Sequence, residues 1–219
     1  MKNNFKVIIF DIDGTLIDTD ELIINSYRAL FKKFRPDYVL TKEEEISFLG
    51  PTLASMFPKY FKEDFDTLLE VYRDFSHGTM KEYAYVYNHA EEVLRLLKEE
   101  GYKLAVVTSR FRSSVLSVLD EFDLTKYFEY IVALDDVEKP KPSPEGLNKC
   151  IEHFNVTKEE CLYIGDNESD YAASKNAGVK CAMVAWAKGR NNASNTIKIK
   201  IVSHSVVFFT YLCNAVRLY

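Results

Sequence analysis

Residues 5–19, FKVIIFDIDGTLIDT, begin as an apolar run and end in two aspartates two positions apart, Asp11 and Asp13. The β-rich run from Phe5 to Phe10 is bounded by a turn signal at Gly14, so it predicts a buried strand that ends where both carboxylates emerge. Side chains two apart on a strand face the same way, and the two carboxylates converge on one small space. Their mutual repulsion is costly unless a proton or a cation offsets it, and a divalent metal does so economically. In an open α/β sheet this end of a strand is also where ligands bind.

The sequence on either side sets the architecture. Asp18 to Lys33 has helical periodicity, with Leu22, Tyr27, Leu30 and Phe31 on one face and Asp18 or Thr19 as N-cap. Residues 41–76 continue in helical style, broken at Gly50-Pro51 and at Pro58. This block exceeds the single crossover helix of a βαβ unit, which predicts an inserted helical cap over 19–81, with 1–18 and 82–219 forming the core. The alternating Tyr83, Tyr85 and Tyr87 suit an extended return into that core.

Beyond it, helix and strand alternate. A helix over His89–Glu100 closes at Gly101, a strand over Lys103–Val107 ends in Thr108-Ser109-Arg110, and a helix follows over Phe111–Glu121. A strand at Tyr130–Ala133, a helix at Pro144–Phe154, a strand at Cys161–Ile164, a helix closed by Gly178 and a strand at Val179–Ala185 complete the pattern. Such alternation predicts an α/β fold: a doubly wound, parallel, Rossmann-like sheet with helices on both faces. Residues 190–219 fit less well, being Asn-rich and then rich in Ile, Val and Phe. An edge strand at Ile197–Val202 and an apolar helix from Ser205 are expected there.

Composition narrows the class of function. With 219 residues the chain can bury a large core, and its 28 Lys and Arg are scattered among 33 Asp and Glu for a formal charge of −5. That balance speaks against nucleic-acid binding, which needs a basic stripe. The four cysteines have no zinc spacing and are read as reduced, buried thiols of a cytosolic protein. No apolar run approaches the roughly 20 residues a membrane span requires, so the expectation is a cytoplasmic protein with no membrane contact, monomeric or homodimeric.

Four short motifs follow four different strands: DIDGTL at 11–16, VVTSR at 106–110, KPSP at 141–144 and GDNESD at 165–170. Singly, each has a plain reading as a turn, an N-cap or a surface charge. Their joint order and spacing resemble the haloacid dehalogenase-like (HAD) phosphotransferases, up to about Gly189. The resemblance implies a HAD-like core with a small helical cap, and Mg²⁺ as cofactor. It implies Asp11 as nucleophile, forming an acyl-phosphate, and Asp13 as general acid and then base. Gly14, Thr108, Ser109 and Lys141 would bind phosphate, with Lys141 preferred to Lys139 because the family pattern is Lys-Pro-x-Pro. Asp11, Asp166 and the Asp13 carbonyl would hold the metal, and Asp170 would hold a metal-bound water or orient Lys141.

The stretches DTDELIINSY, FLGPTLASMF, VYRDFSH and LDDVE look like the bacterial pyrophosphatase and phosphoglycolate phosphatase branch. They make Gly50, Thr52 and Arg73 candidate specificity residues, although a helix break, a cap and a surface charge explain them equally well. Pyrophosphate is the leading expected substrate, with phosphoglycolate or a nucleoside monophosphate next. Two alternatives stand: a phosphomutase of the β-phosphoglucomutase type, and a non-catalytic phosphate sensor. Gly165 lowers the first, since those mutases tend to carry an acidic residue there. The second would be expected to lose Asp11, Asp13, Lys141 or Asp166, and none is lost. Tyr87-Asn88 replaces the family's usual Pro-Gly.

Overall fold

The computed structural model describes residues 5–184, Trp186 and the backbone of 197–199. The chain divides into two compact units, Asp18–Tyr85 and the remainder. The helix expected from Ser205 lies outside the described residues.

The larger unit is built on a parallel sheet. Its strands are β1 (Val7–Phe10), β4 (Lys103–Val107), β5 (Tyr130–Val132), β6 (Cys161–Gly165), β7 (Lys180–Val184) and β8 (Ile197–Ile199). They lie in the order β5-β4-β1-β6-β7-β8, every neighbouring pair parallel. This is a doubly wound order, with β1 in the centre and the switch of direction beside it. All four residues of β1 are buried, as a parallel strand covered on both faces requires. Four helices connect the strands: α6 (Ala90–Glu99), α7 (Arg112–Glu121), α8 (Glu145–Phe154) and α9 (Glu168–Ala177).

On one face Val7, Ile9, Ala105, Val107 and Tyr163 pack with Leu147, Cys150 and Ala173 into a continuous core. Gly146 of α8 permits this closeness, because a Cβ there would lie 2.8 Å from Val107 Cγ1. Cys150 and Cys161 are buried free thiols and Cys181 is half-buried and free. Cys213 lies outside the described residues.

The smaller unit is helical: α1 (Asp20–Phe34), α2 (Lys42–Ser47), α3 (Leu53–Tyr60), α4 (Phe65–Gly78) and α5 (Met80–Tyr83). Its interior is aromatic. Tyr27 stacks on Phe48 at 4.1 Å and meets Phe57 edge-on at 6.0 Å, while Phe31 contacts Phe61 at 4.9 Å. The break expected at Gly50-Pro51 separates α2 from α3. The break expected at Pro58 does not occur, for α3 continues to Tyr60. Near a helix end, proline forfeits only the bond its missing N–H would have made to the Ala54 carbonyl. The short strands β2 (Ile17–Asp18) and β3 (Tyr85–Val86), where the chain passes from one unit to the other, form a two-stranded sheet. Of the alternating tyrosines, only Tyr85 lies in a strand; Tyr83 ends α5.

No described helix is long and apolar enough to cross a membrane.

Candidate active site

The constellation lies wholly in the larger unit, at the C-terminal ends of β1, β4 and β6. Asp11 follows β1 directly, and its N–H donates to the Ile164 carbonyl at 2.9 Å. The chain then turns sharply. Gly14 sits at φ +75 and donates to the Ile17 carbonyl at 2.8 Å, while the N–H groups of Thr15, Leu16 and Ile17 gather on the Ile12 carbonyl. A positive φ of this kind suits glycine, and it lets the chain double back just after both aspartates.

Lys141 reaches in from the loop after β5, its side chain only 6 % exposed. Its ammonium donates to Asp11 Oδ1 at 2.9 Å, to Asp170 Oδ1 at 2.6 Å and to the Tyr163 hydroxyl at 3.2 Å. Lys139, by contrast, is exposed. Burial alone would lower the Lys141 pKa, but the charges of Asp11 and Asp170 override it and hold the ammonium protonated.

Asp166 follows β6 directly, and Asp170 lies in the first turn of α9. Asn167 caps α9, accepting from the Ser169 N–H at 3.1 Å. Asp170 Oδ2 accepts from the N–H groups of Asp166 and Asn167, at 3.2 and 3.0 Å. Its Oδ1 accepts from Lys141 and from the Tyr163 hydroxyl, the latter at 2.8 Å. Four donors therefore occupy a carboxylate with about four acceptor positions. Gly165 makes this packing possible, since a Cβ there would fall 2.6 Å from the Asp170 side chain.

Asp11, Asp166 and Asp170 are all buried, and one oxygen from each lies within 4.8 Å of the others. Burial pushes the Asp11 carboxyl up to about 7, against the opposing charge of Lys141 and with help from Asp170 and Asp13. Burial, then the charges of Asp170 and Asp11, holds Asp166 well above the usual carboxylate range. Three carboxylates face one lysine, and the excess of two negative charges suits a divalent cation. An all-oxygen donor set suits a hard one such as Mg²⁺.

Thr108 is buried, its N–H donating to the Val132 carbonyl at 3.1 Å and its hydroxyl accepting from the Arg110 N–H at 3.2 Å. Ser109 is half-buried beside it. The helix expected to start at Phe111 starts at Arg112, whose N–H is taken by Asp135 at 2.7 Å. Asp136 pairs with the Arg112 guanidinium and accepts from the Ala133 N–H, so the LDDVE stretch secures the start of α7.

Gly50, Thr52 and Arg73 belong to the smaller unit. Gly50 sits at φ +105 between α2 and α3, Thr52 is the N-cap of α3 without a side-chain capping bond, and Arg73 lies half-buried in α4.

Two residues in the constellation escape sequence reasoning. Tyr163, buried in β6, bridges Lys141, Asp170 and the Val107 carbonyl. Arg110 grips Asp13 with a fork: Nε lies 3.0 and 2.8 Å from the two oxygens, and a terminal nitrogen lies 2.6 Å from Oδ1. Its position directly after Thr108-Ser109 is the signal that could have found it, and a hydroxyl-tipped aromatic within an otherwise aliphatic strand could have found Tyr163.

The sheet order and the acidic cluster at its switch point define a doubly wound α/β protein with a candidate cation site, and comparison with known proteins gives the family. Residues 8–184 match the model of the haloacid dehalogenase-like hydrolases, and the chain belongs to that family. A pyrophosphatase PpaX from Listeria monocytogenes is 37 % identical over 187 residues, covering 85 % of this chain and 86 % of the relative. A pyrophosphatase PpaX from Bacillus cereus is 38 % identical over 186 residues, covering 84 % and 86 %. Among solved structures, a haloacid dehalogenase-like family hydrolase from Streptococcus pneumoniae superposes with a TM-score of 0.78 at 19 % identity, covering 95 % of this chain and 99 % of that one. At that identity the likeness speaks for the fold.

Proposed function

We propose that this hydrolase is a Mg²⁺-dependent phosphohydrolase working through an aspartyl-phosphate on Asp11, with pyrophosphate as the leading substrate and phosphoglycolate or a nucleoside monophosphate next. The observation that carries the reading is the buried meeting of Asp11 with Lys141, Asp166 and Asp170 at the end of the central strand. Identity to PpaX pyrophosphatases over most of the chain supports the choice of substrate.

In this mechanism an Asp11 oxygen attacks phosphorus in line with the leaving oxygen, and the bond to the leaving group breaks. Asp13, held as a carboxylate by the Arg110 fork, must first release one oxygen from that fork and take up a proton from solvent. It gives this proton to the departing oxygen, then takes one from the water that cleaves the acyl-phosphate, releasing orthophosphate and restoring Asp11. Thr108, the Ser109 N–H, the turn at Gly14 and Lys141 supply donors and positive charge around the transferred phosphoryl group. The Asp11 and Asp166 carboxylates and the Asp13 carbonyl would hold Mg²⁺, which supplies the charge neutralisation that lets an anionic phosphate approach a carboxylate. Asp170, saturated by its four donors, serves to aim Lys141.

Hydrolysis is preferred to phosphomutase chemistry on a specific ground. The acidic residue those mutases tend to carry at position 165 has no room here, where even a Cβ would overlap Asp170. The test is a screen of pyrophosphate, phosphoglycolate, nucleoside monophosphates and sugar phosphates, with and without Mg²⁺. Metal-dependent release of orthophosphate, fastest from pyrophosphate, is expected. Isomerised sugar phosphate primed by a bisphosphate, with no free orthophosphate, would replace this reading with the mutase.

A further inference from the structure

Two cations serve this site, and their surroundings assign them different tasks. Lys141 is committed to Asp11 and Asp170, deep in the core, where the transferred phosphoryl group must lie. Arg110 is committed to neither. Its guanidinium spans Asp13 on one side and the Ser114 hydroxyl on the other, at 2.9 Å, and its side chain keeps 12 % exposure beside the 20 % of Asp13. A fixed, planar fork of this kind matches the two oxygens of a carboxylate or phosphate.

We infer that Arg110 is a specificity-determining residue that receives an anionic leaving group, the departing phosphate of pyrophosphate or a carboxylate close to the scissile oxygen, by yielding part of its fork on Asp13. The inference rests on the phosphohydrolase reading above, in which Asp13 meets the leaving oxygen. Whatever that oxygen is attached to then lies within reach of the guanidinium that already touches Asp13. A leaving group with its own negative charge offers Arg110 a second acceptor of the same shape as the one it holds. A neutral alcohol offers none, and Arg110 stays on Asp13. No proton or electron changes hands at Arg110. Its contribution is attraction to charge that is present in one class of substrate and missing from the other.

The experiment compares pyrophosphate and phosphoglycolate with phenyl phosphate, whose leaving group bears no charge beyond the scissile oxygen. Steady-state kcat and KM are measured with saturating Mg²⁺ for the wild-type chain, Arg110→Met and Arg110→Lys. For Arg110→Met the ratio of kcat/KM for pyrophosphate over phenyl phosphate should fall about 10- to 100-fold, the range of a charged hydrogen bond. Phosphoglycolate should follow pyrophosphate, and Arg110→Lys should restore part of the ratio. Equal losses on all three substrates, or an unchanged ratio, would overturn the inference and leave Arg110 as a support for Asp13 alone. Should Arg110→Met fail to fold, as seen by circular dichroism, Arg110→Gln replaces it with the same criterion. A wild-type chain that releases orthophosphate from none of the three refutes the phosphohydrolase reading itself, a failure distinct from an unchanged ratio.

Discussion

Both units of this chain bury apolar side chains, but they differ in the cluster each adds to that core. In the helical unit the interior is a cluster of rings, Tyr27, Phe31, Phe48, Phe57 and Phe61, in stacked and edge-on contact. In the sheet unit the end of the central strands buries Asp11, Asp166, Asp170 and Lys141, groups that rarely leave water unpaired. Rings associate through apolar area and need no outside help. Carboxylates crowded into a dry space need a compensating cation, so the sheet unit carries a standing electrostatic cost that the proposed Mg²⁺ would relieve.

The sharpest way to break this contrast is at the nucleophile. Asp11→Asn keeps the shape of the side chain but removes its charge, and turnover should fall by about 10⁴-fold or more, as with other covalent nucleophiles. Stability of the metal-free protein should hold or rise, because one buried charge is gone while Lys141 retains Asp170. Phosphate release and thermal melting measured on the same sample decide it. Substantial residual turnover would move the nucleophile elsewhere.

In the helical unit the expected pattern is reversed. Phe48→Ala empties a fully buried ring site between Tyr27, Phe31 and Tyr60 and should cost about 3–5 kcal/mol. Urea unfolding with amide exchange read separately in each unit should place that loss in residues 18–85. A loss spread equally over the sheet unit would mean that the two do not keep separate accounts of stability.

Gly165→Ala returns to the site with a smaller effect. The added methyl meets Asp170 at about the position of its carboxyl group, and overpacking of this kind costs about 1–3 kcal/mol. With Asp170 proposed to aim Lys141, kcat of the folded, ligand-saturated variant should fall as well, beside a drop in melting temperature that matches the stability loss. Wild-type kcat in this variant would show that Asp170 does not position the lysine.

Much of this was legible in the residues themselves. Val7–Phe10, Lys103–Val107 and Cys161–Gly165 are apolar runs that end in polar turns, a pattern that a parallel sheet covered on both faces imposes wherever it occurs. The motif aspartates and Lys141 are likewise local features of strand ends. What stayed hidden is pairing across distance. Arg110 and Asp13 are 97 residues apart, and an arginine after a strand reads as a solvated charge until the fold closes around it. Tyr163 alternates like any core strand residue, and only packing reveals that its hydroxyl joins Lys141 to Asp170. Pro58 misled in the other direction, since its effect depends on how much helix lies beyond it.

The smallest effect separates the units by acid. Glu63 in the helical unit is held down to about 2 by the Arg35 guanidinium, whose fork meets both its oxygens at 2.9 and 3.0 Å, and by neighbouring N–H groups. Its folded pKa lies below the ordinary value of 4.5, so its contribution is complete above about 4.5 and is lost as pH falls toward 2. Asp11 has the opposite sign. Its folded pKa of about 7 lies above 3.8, so in chelator-treated protein the site is most favourable when protonated, and the penalty grows as pH rises from 3.8 to about 7. Acidification from pH 8 to 4 should therefore raise amide protection factors, which are exchange rates corrected for their intrinsic pH dependence, in the sheet unit, whereas going from 4.5 to 2 should lower them in the helical unit. Saturating Mg²⁺ should abolish the first trend by supplying the missing charge, and Glu63→Gln should flatten the second while leaving the first intact. If both units loosen together over one pH range, or if Glu63→Gln changes nothing, the Arg35–Glu63 pair is an ordinary solvated contact worth close to nothing.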